Sequence, residues 1–170
     1  MKKILVTTIV VWFFLFSGMI GVAQVIAGTY AIKNVQTGML LRIKDANKAN
    51  GTPLVSYNPV NWKCMTWDFK YMEGNAYQLG NLFSGKTFQP QQAAAEGVAM
   101  EEQPLLAGNA SQQYEFLPAG KNIYLIRLKG TELYISPADS HGAVNSAIIL
   151  AKKNSSPLQQ WTIYEQHPEF

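Results

Sequence analysis

Six consecutive residues, Tyr57-Asn58-Pro59-Val60-Asn61-Trp62, hold two aromatic rings and two amides. A ring stacks on an apolar ligand face, and an amide both donates and accepts hydrogen bonds. Together they suit noncovalent binding of a ligand with one apolar face and a polar edge. The same residues also have an architectural reading, with Tyr57 packed at a rim and Asn58 and Asn61 making turns. Groups for acid–base or covalent chemistry are sparse. His141 and His167 are the only histidines. Asp139, Ser140 and His141 are adjacent, and neighbours on an extended chain point to opposite faces, so no catalytic triad is expected and the segment reads as a solvated loop. Glu101 and Glu102 diverge for the same reason, which argues against the carboxyl pair that glycoside hydrolysis needs. Cys64 is the only cysteine. It allows no internal disulfide and no multi-cysteine metal site, and it reads as a buried or half-buried thiol. Neither enzymatic activity nor a metal or cofactor is expected.

The chain has 170 residues, 48% apolar and 15% charged. That is enough for one domain with a sizeable core and too apolar for a disordered chain. The formal charge is +3, from 14 basic and 11 acidic side chains. Without Lys2 and Lys3 the balance is 12 against 11, or +1, and Arg42 and Arg127 are the only arginines. A nucleic-acid partner held through phosphate contacts is therefore not expected.

Lys2 and Lys3 precede an apolar run from Ile4 to Phe16, and Gly21-Val22-Ala23 offers small residues for a peptidase. Residues 1–23 are expected to be a secretory signal peptide, cut before Gln24 or, as a second option, after Ala27. An uncleaved anchor is the alternative, since Ile4 to Ala27 carries no charge and a membrane span takes about 20 apolar residues. No cysteine lies near the cut, so a lipoprotein is not expected. The folded part, residues 24–170, is expected outside the cytoplasm, secreted or periplasmic, with no membrane contact beyond the leader.

One unit recurs three times. Tyr30, Tyr77 and Tyr124 sit in short strand-like runs separated by 47 and 47 residues, and Trp67, Tyr114 and Trp161 repeat the same interval. Units of 28–74, 75–121 and 122–168 tile the chain after the leader. Each unit alternates apolar and polar residues as a half-buried strand does, with Tyr30 and Ile32 or Trp67 and Phe69 as examples. Turn pairs such as Thr37-Gly38, Asn50-Gly51 and Ser84-Gly85 punctuate the strands. The best exception is Gln91 to Met100, with three alanines, read as a loop with a helical turn. A solenoid would have atypical end units. Here the first and third units are equally complete, which favours closure into an all-β, pseudo-threefold β-trefoil. Tyr30, Trp67, Tyr77, Tyr114, Tyr124 and Trp161 are its expected core.

Gly28-Thr-Tyr-Ala-Ile-Lys-Asn, Thr37-Gly38, Leu40-Leu41 and Asn50-Gly-Thr-Pro-Leu-Val, with Gln159-Gln-Trp-Thr-Ile near the end, resemble the ricin-type β-trefoil lectin family and its Gln-x-Trp repeat. The resemblance implies a noncovalent carbohydrate-binding module whose partner is a glycan or polysaccharide. Gln112 and Gln159 occupy the motif's Gln and are expected to bond backbone groups and hold the next loop; Met65 stands there in the first unit. The family keeps its aromatic platform near Tyr57 and Trp62, so Tyr57, Asn58, Asn61 and Trp62 are the expected sugar contacts. Its Asp for sugar hydroxyls is replaced by Arg42, Gln89 and, counting from the turn glycine, Tyr134. Its Asn beside the Gln is replaced by Cys64, Ser111 and Leu158. A trefoil serving as a protein-interaction or inhibitor scaffold is the rival reading, because fold does not fix function. A module that assists an enzyme in trans is a third.

Overall fold

The computed structural model describes residues 25–170. The expected leader, residues 1–23, lies outside the described residues. Twelve strands follow one another: β1 Gly28–Asn34, β2 Leu40–Ile43, β3 Leu54–Tyr57, β4 Thr66–Glu73, β5 Ala76–Asn81, β6 Thr87–Pro90, β7 Met100–Gln103, β8 Tyr114–Gly120, β9 Ile123–Leu128, β10 Leu133–Pro137, β11 Ile148–Lys152 and β12 Gln160–Glu165.

Six of them close a barrel. β1 pairs with β4, β4 with β5, β5 with β8, β8 with β9, β9 with β12, and β12 returns to β1, every pair antiparallel. Closure leaves no free edge in this ring. The hairpins β2–β3, β6–β7 and β10–β11 cap one end. Single bridges Pro53↔Glu101, Val55↔Ala147 and Ala99↔Ile149 tie each hairpin to the next. This is the expected β-trefoil.

The pseudo-threefold pattern extends to individual hydrogen bonds. Trp67 Nε1 donates to the Leu41 carbonyl at 3.3 Å, Tyr114 OH to Phe88 at 2.9 Å, and Trp161 Nε1 to Ile135 at 3.1 Å. Each bond spans 26 residues and pins a hairpin to the barrel. Trp67, Tyr114 and Trp161 are fully buried, and Tyr77 nearly so. Tyr30 and Tyr124 differ from the expectation: they are half-buried and pack against the core from the open barrel end. Ile26 closes that end, and its N–H donates to Tyr77 OH at 3.1 Å. A tyrosine near a barrel mouth keeps its hydroxyl wet while burying its ring.

Gln112 and Gln159 bond backbone as expected, but they hold the loop before them. Gln112 Oε1 accepts from Leu106 N and its Nε2 donates to the Pro104 carbonyl; Gln159 does the same with Asn154 and Lys152. A short 3-10 turn just ahead of each strand (Ala110–Gln112 and Pro157–Gln159) folds the amide back. In the first unit Gln166 takes over, donating to the Val60 carbonyl at 2.9 Å. Residues 91–99 form bends and one turn, without the expected helical turn.

Three residues of the capping hairpins, Arg42, Thr87 and Glu102, hold buried side-chain polar atoms without a hydrogen-bond partner. Glu102, paired across the hairpin with the core residue Phe88, is fully buried and neither carboxylate oxygen is hydrogen-bonded. Burial pushes its carboxyl up from the ordinary glutamate range, offset in part by the charges of Lys86 and Lys48.

Candidate functional site

Register decides which side chains meet on the first hairpin. Leu40 faces Tyr57 and Arg42 faces Val55 across β2–β3. Side chains two apart on one strand share a face, so Arg42 and Tyr57 are diagonal neighbours on the outward side. Leu41, Ile43 and Leu54 point inward to the main core. The outward side is covered by a small second cluster of Ala31, Leu40, Cys64 and Met65, with Ala46, Tyr57, Val60 and Phe83 packed against it. Cys64 is a buried free thiol in that layer.

Arg42 sits on the aromatic pair. Its guanidinium carbon lies 3.9 Å from the Tyr57 ring centre and 5.8 Å from that of Trp62. The two rings are 6.2 Å apart and inclined by 33°. One face of Tyr57 is therefore occupied by the cation. Trp62 stays 38% exposed, the open ring of the pair. Beside it is a cavity of about 240 Å³ lined by Arg42, Trp62, Lys63 and Phe83, among others. The main-chain oxygen of Phe170 accepts from Lys63 N at 2.7 Å on its rim. Lys48 Nζ stands 4.4 Å over Phe83.

The four expected contact residues do not converge on one spot. Tyr57 and Trp62 come together around Arg42. Asn61 lines a separate open groove of about 310 Å³ with Pro59, Tyr164, Glu165 and His167. Asn58 is exposed and lines neither cavity. Arg42, read from the sequence only as a replacement for the family's Asp, and Phe83 are the site residues not expected there. Pairing Leu40 with Tyr57 by hairpin length alone would have placed Arg42 beside the ring.

The bonds from Trp67, Tyr114 and Trp161 fix which positions correspond. Leu41, Phe88 and Ile135 are equivalent, so Arg42 corresponds to Gln89 and to Ser136, not to Tyr134. Counting from the glycine misleads because the third turn reaches Gly130 early, and Thr131 and Glu132 follow it. Thr131 Oγ1 bonds back to the Leu128 carbonyl at 2.8 Å and stabilises that different turn. The first two turns use Gly38 and Gly85, at φ +71° and +72°, a region that favours glycine. By the same register Tyr57 corresponds to Gln103 and Ala151. The ring belongs to the first unit only.

Asp139, Ser140 and His141 lie in a bent loop and not on an extended chain, so alternation of faces does not separate them. Asp139 Oδ1 accepts from the N–H groups of His141 and Ala143, which hold its carboxyl below the usual range. Ser140 Oγ and Asp139 Oδ2 both approach Nδ1 of His141, at 3.5 and 3.7 Å. A triad needs serine and carboxylate on opposite ring nitrogens.

Residues 12–101 match the ricin-type beta-trefoil lectin domain-like family. The chain belongs to that family. A search of curated proteins finds no match. Among solved structures, the ricin-type fold seen here is similar to a designed threefold-symmetric protein, ThreeFoil, with TM-score 0.77 and 16% identity over 81% of this chain and 99% of that one. The Rhizoctonia solani agglutinin matches with TM-score 0.76 and 22% identity over 84% and 98%. The Macrolepiota procera ricin B-like lectin, solved in complex with lactose, matches with TM-score 0.68 and 20% identity over 82% and 97%. At these identities the likeness speaks for the ricin-type fold.

Proposed function

We propose that this protein is a carbohydrate-binding module, exported to the periplasm or beyond, that recognises glycan at a shallow site on its first unit. One observation carries the reading. Of the equivalent positions Tyr57, Gln103 and Ala151, only the first holds a ring, and it stands beside an exposed tryptophan and a cavity. Trp62 offers the platform for the C–H face of a sugar, and the outer edge of Tyr57 meets hydroxyls beside it, while Asn58 and Asn61 lie outside this cavity. A single open site binds weakly, so strength comes from dense glycan or from several copies acting together.

The protein-scaffold reading draws support from the absence of a carboxylate at Arg42, Gln89 and Ser136. A glycan and polysaccharide array with the purified protein separates the two. Saturable binding displaced by free sugar, and lost in Trp62→Ala with an unchanged melt, is the expected result. Binding to a protein partner that free sugars cannot displace, with no glycan retained, would overturn the proposal.

A further inference from the structure

Arg42 is a buried cation with no ion pair among the described residues. It is only 7% exposed, and its Nε is buried with no hydrogen-bond partner. Ion pairs among the described residues involve Arg127, Lys129, Lys152 and the two histidines, but not Arg42. A guanidinium withdrawn from water is costly unless its charge is met and its N–H groups are bonded. The faces of Tyr57 and Trp62 meet part of that need through their ring electrons. They accept no hydrogen bond from the guanidinium edge, which is the part that pairs with a planar oxyanion.

The surroundings favour an anion as well. No acidic side chain lines the adjoining cavity; Arg42 and Lys63 do, and Lys48 stands over Phe83 in its wall. Trp62 and Phe83 supply apolar walls for a ring-shaped body. The first unit thus presents a cationic fork where the family's repeat has an acceptor, next to an aromatic platform.

We infer that the first-unit site selects saccharides that carry a carboxylate, of the uronic-acid type, with Arg42 pairing the acid and Trp62 stacking the ring. This rests on the carbohydrate-binding reading above and narrows it to acidic sugars. Arginine suits a planar carboxylate better than lysine does, because its N–H groups form a rigid fork. The second and third units, with Gln89 and Ser136 at the same register and no ring opposite, lack this pair.

The test is titration calorimetry of the purified protein against oligogalacturonate, neutral oligogalactose and a sulfated galactan. Oligogalacturonate is expected to bind about 10–100-fold tighter than the neutral oligomer, the range of one charge-assisted hydrogen-bonded pair. Added salt should narrow that gap. Arg42→Gln, which installs the second unit's residue, should erase the preference, read as the ratio of acidic to neutral affinity in the same variant. Arg42→Ser, the third unit's residue, serves if the first variant melts early. Equal binding of the acidic and neutral oligomers, or a preference that survives both variants, overturns the inference. Tighter binding of the sulfated galactan than of the uronate overturns its carboxylate assignment. Neutral binding that Trp62→Ala abolishes, without any acid preference, overturns only this inference. Failure of all three sugars to bind a cooperatively melting protein overturns the carbohydrate reading with it.

Discussion

Replacing Trp161 by alanine removes a fully buried ring and the indole N–H that bonds the Ile135 carbonyl at 3.1 Å. A buried tryptophan covers roughly 200 Å², and at about 25 cal/mol per Å² that corresponds to about 5 kcal/mol as an upper bound. Measured losses for Trp→Ala in cores are about 3–5 kcal/mol. A domain of this length shifts about 2–4 °C in melting temperature per kcal/mol, so a drop of about 6–20 °C is expected. The hydrogen bond can be separated from the ring. Trp161→Phe keeps most of the apolar contact but orphans the carbonyl, at about 1–3 kcal/mol. Trp161→Tyr copies the second unit, where Tyr114 OH reaches Phe88 at 2.9 Å, and should lose least. Urea and thermal melts of the three variants, followed by near-UV circular dichroism, should rank Tyr above Phe above Ala. An alanine variant melting within about 2 °C of wild type would refute both the burial argument and the register that equates Leu41, Phe88 and Ile135.

Three further outcomes follow from the buried groups. Glu102→Leu, which installs the residue found at the equivalent Leu150, should stabilise the protein by about 1–3 kcal/mol at neutral pH, since it removes an unpartnered carboxylate. The Glu102 carboxyl is held above the ordinary value of 4.5 when folded, so its folded state favours the proton. Its effect on wild-type stability is most favourable below 4.5 and is lost as pH rises through the raised value, so the variant's advantage should grow from acid to neutral pH in urea melts. An advantage independent of pH would contradict this. Gln112→Leu should lose about 2–3 kcal/mol by orphaning Leu106 N and the Pro104 carbonyl, with thermal melts as the check. A chain beginning at Gly28 should melt below one beginning at Gln24, because it lacks Ile26 and the bond to Tyr77. Losing a buried isoleucine costs about 2–5 kcal/mol. Equal melts would remove Ile26 from the account of barrel closure.

The fold was legible because a 47-residue interval survives in large aromatic residues that only a core accommodates. Position in the unit fixed Trp67, Tyr114 and Trp161 as core without any knowledge of pairing. The same reasoning overburied Tyr30 and Tyr124, because periodicity carries no information on whether a barrel end is open. The site was legible only in part. Tyr57 and Trp62 announced themselves as rings in a polar loop. Arg42 did not announce itself as a contact, since its place depends on a cross-strand diagonal and on its lack of an ion pair among the described residues, and an absent partner leaves no mark in sequence. Asn61 was grouped with Trp62 by adjacency, yet neighbouring residues in an extended loop face apart, and Asn61 turns toward Tyr164 and His167. The third hairpin was misaligned because a turn can move its glycine by two residues while its strands keep their places.

The pairing of β1 with β12 sets Tyr30 opposite Glu165. The described chain thus enters and leaves the barrel at one end, within a strand spacing of itself. A short linker from about residue 167 back to residue 27 would cost little loop-closure entropy. New ends opened at the turn around Gly74 or at Lys121, both exposed, would break no core contact. The barrel therefore has a cyclic order but no intrinsic first unit. A permuted chain starting at residue 75 should fold to the same barrel, with the Arg42 hairpin carried on its last unit in place of its first.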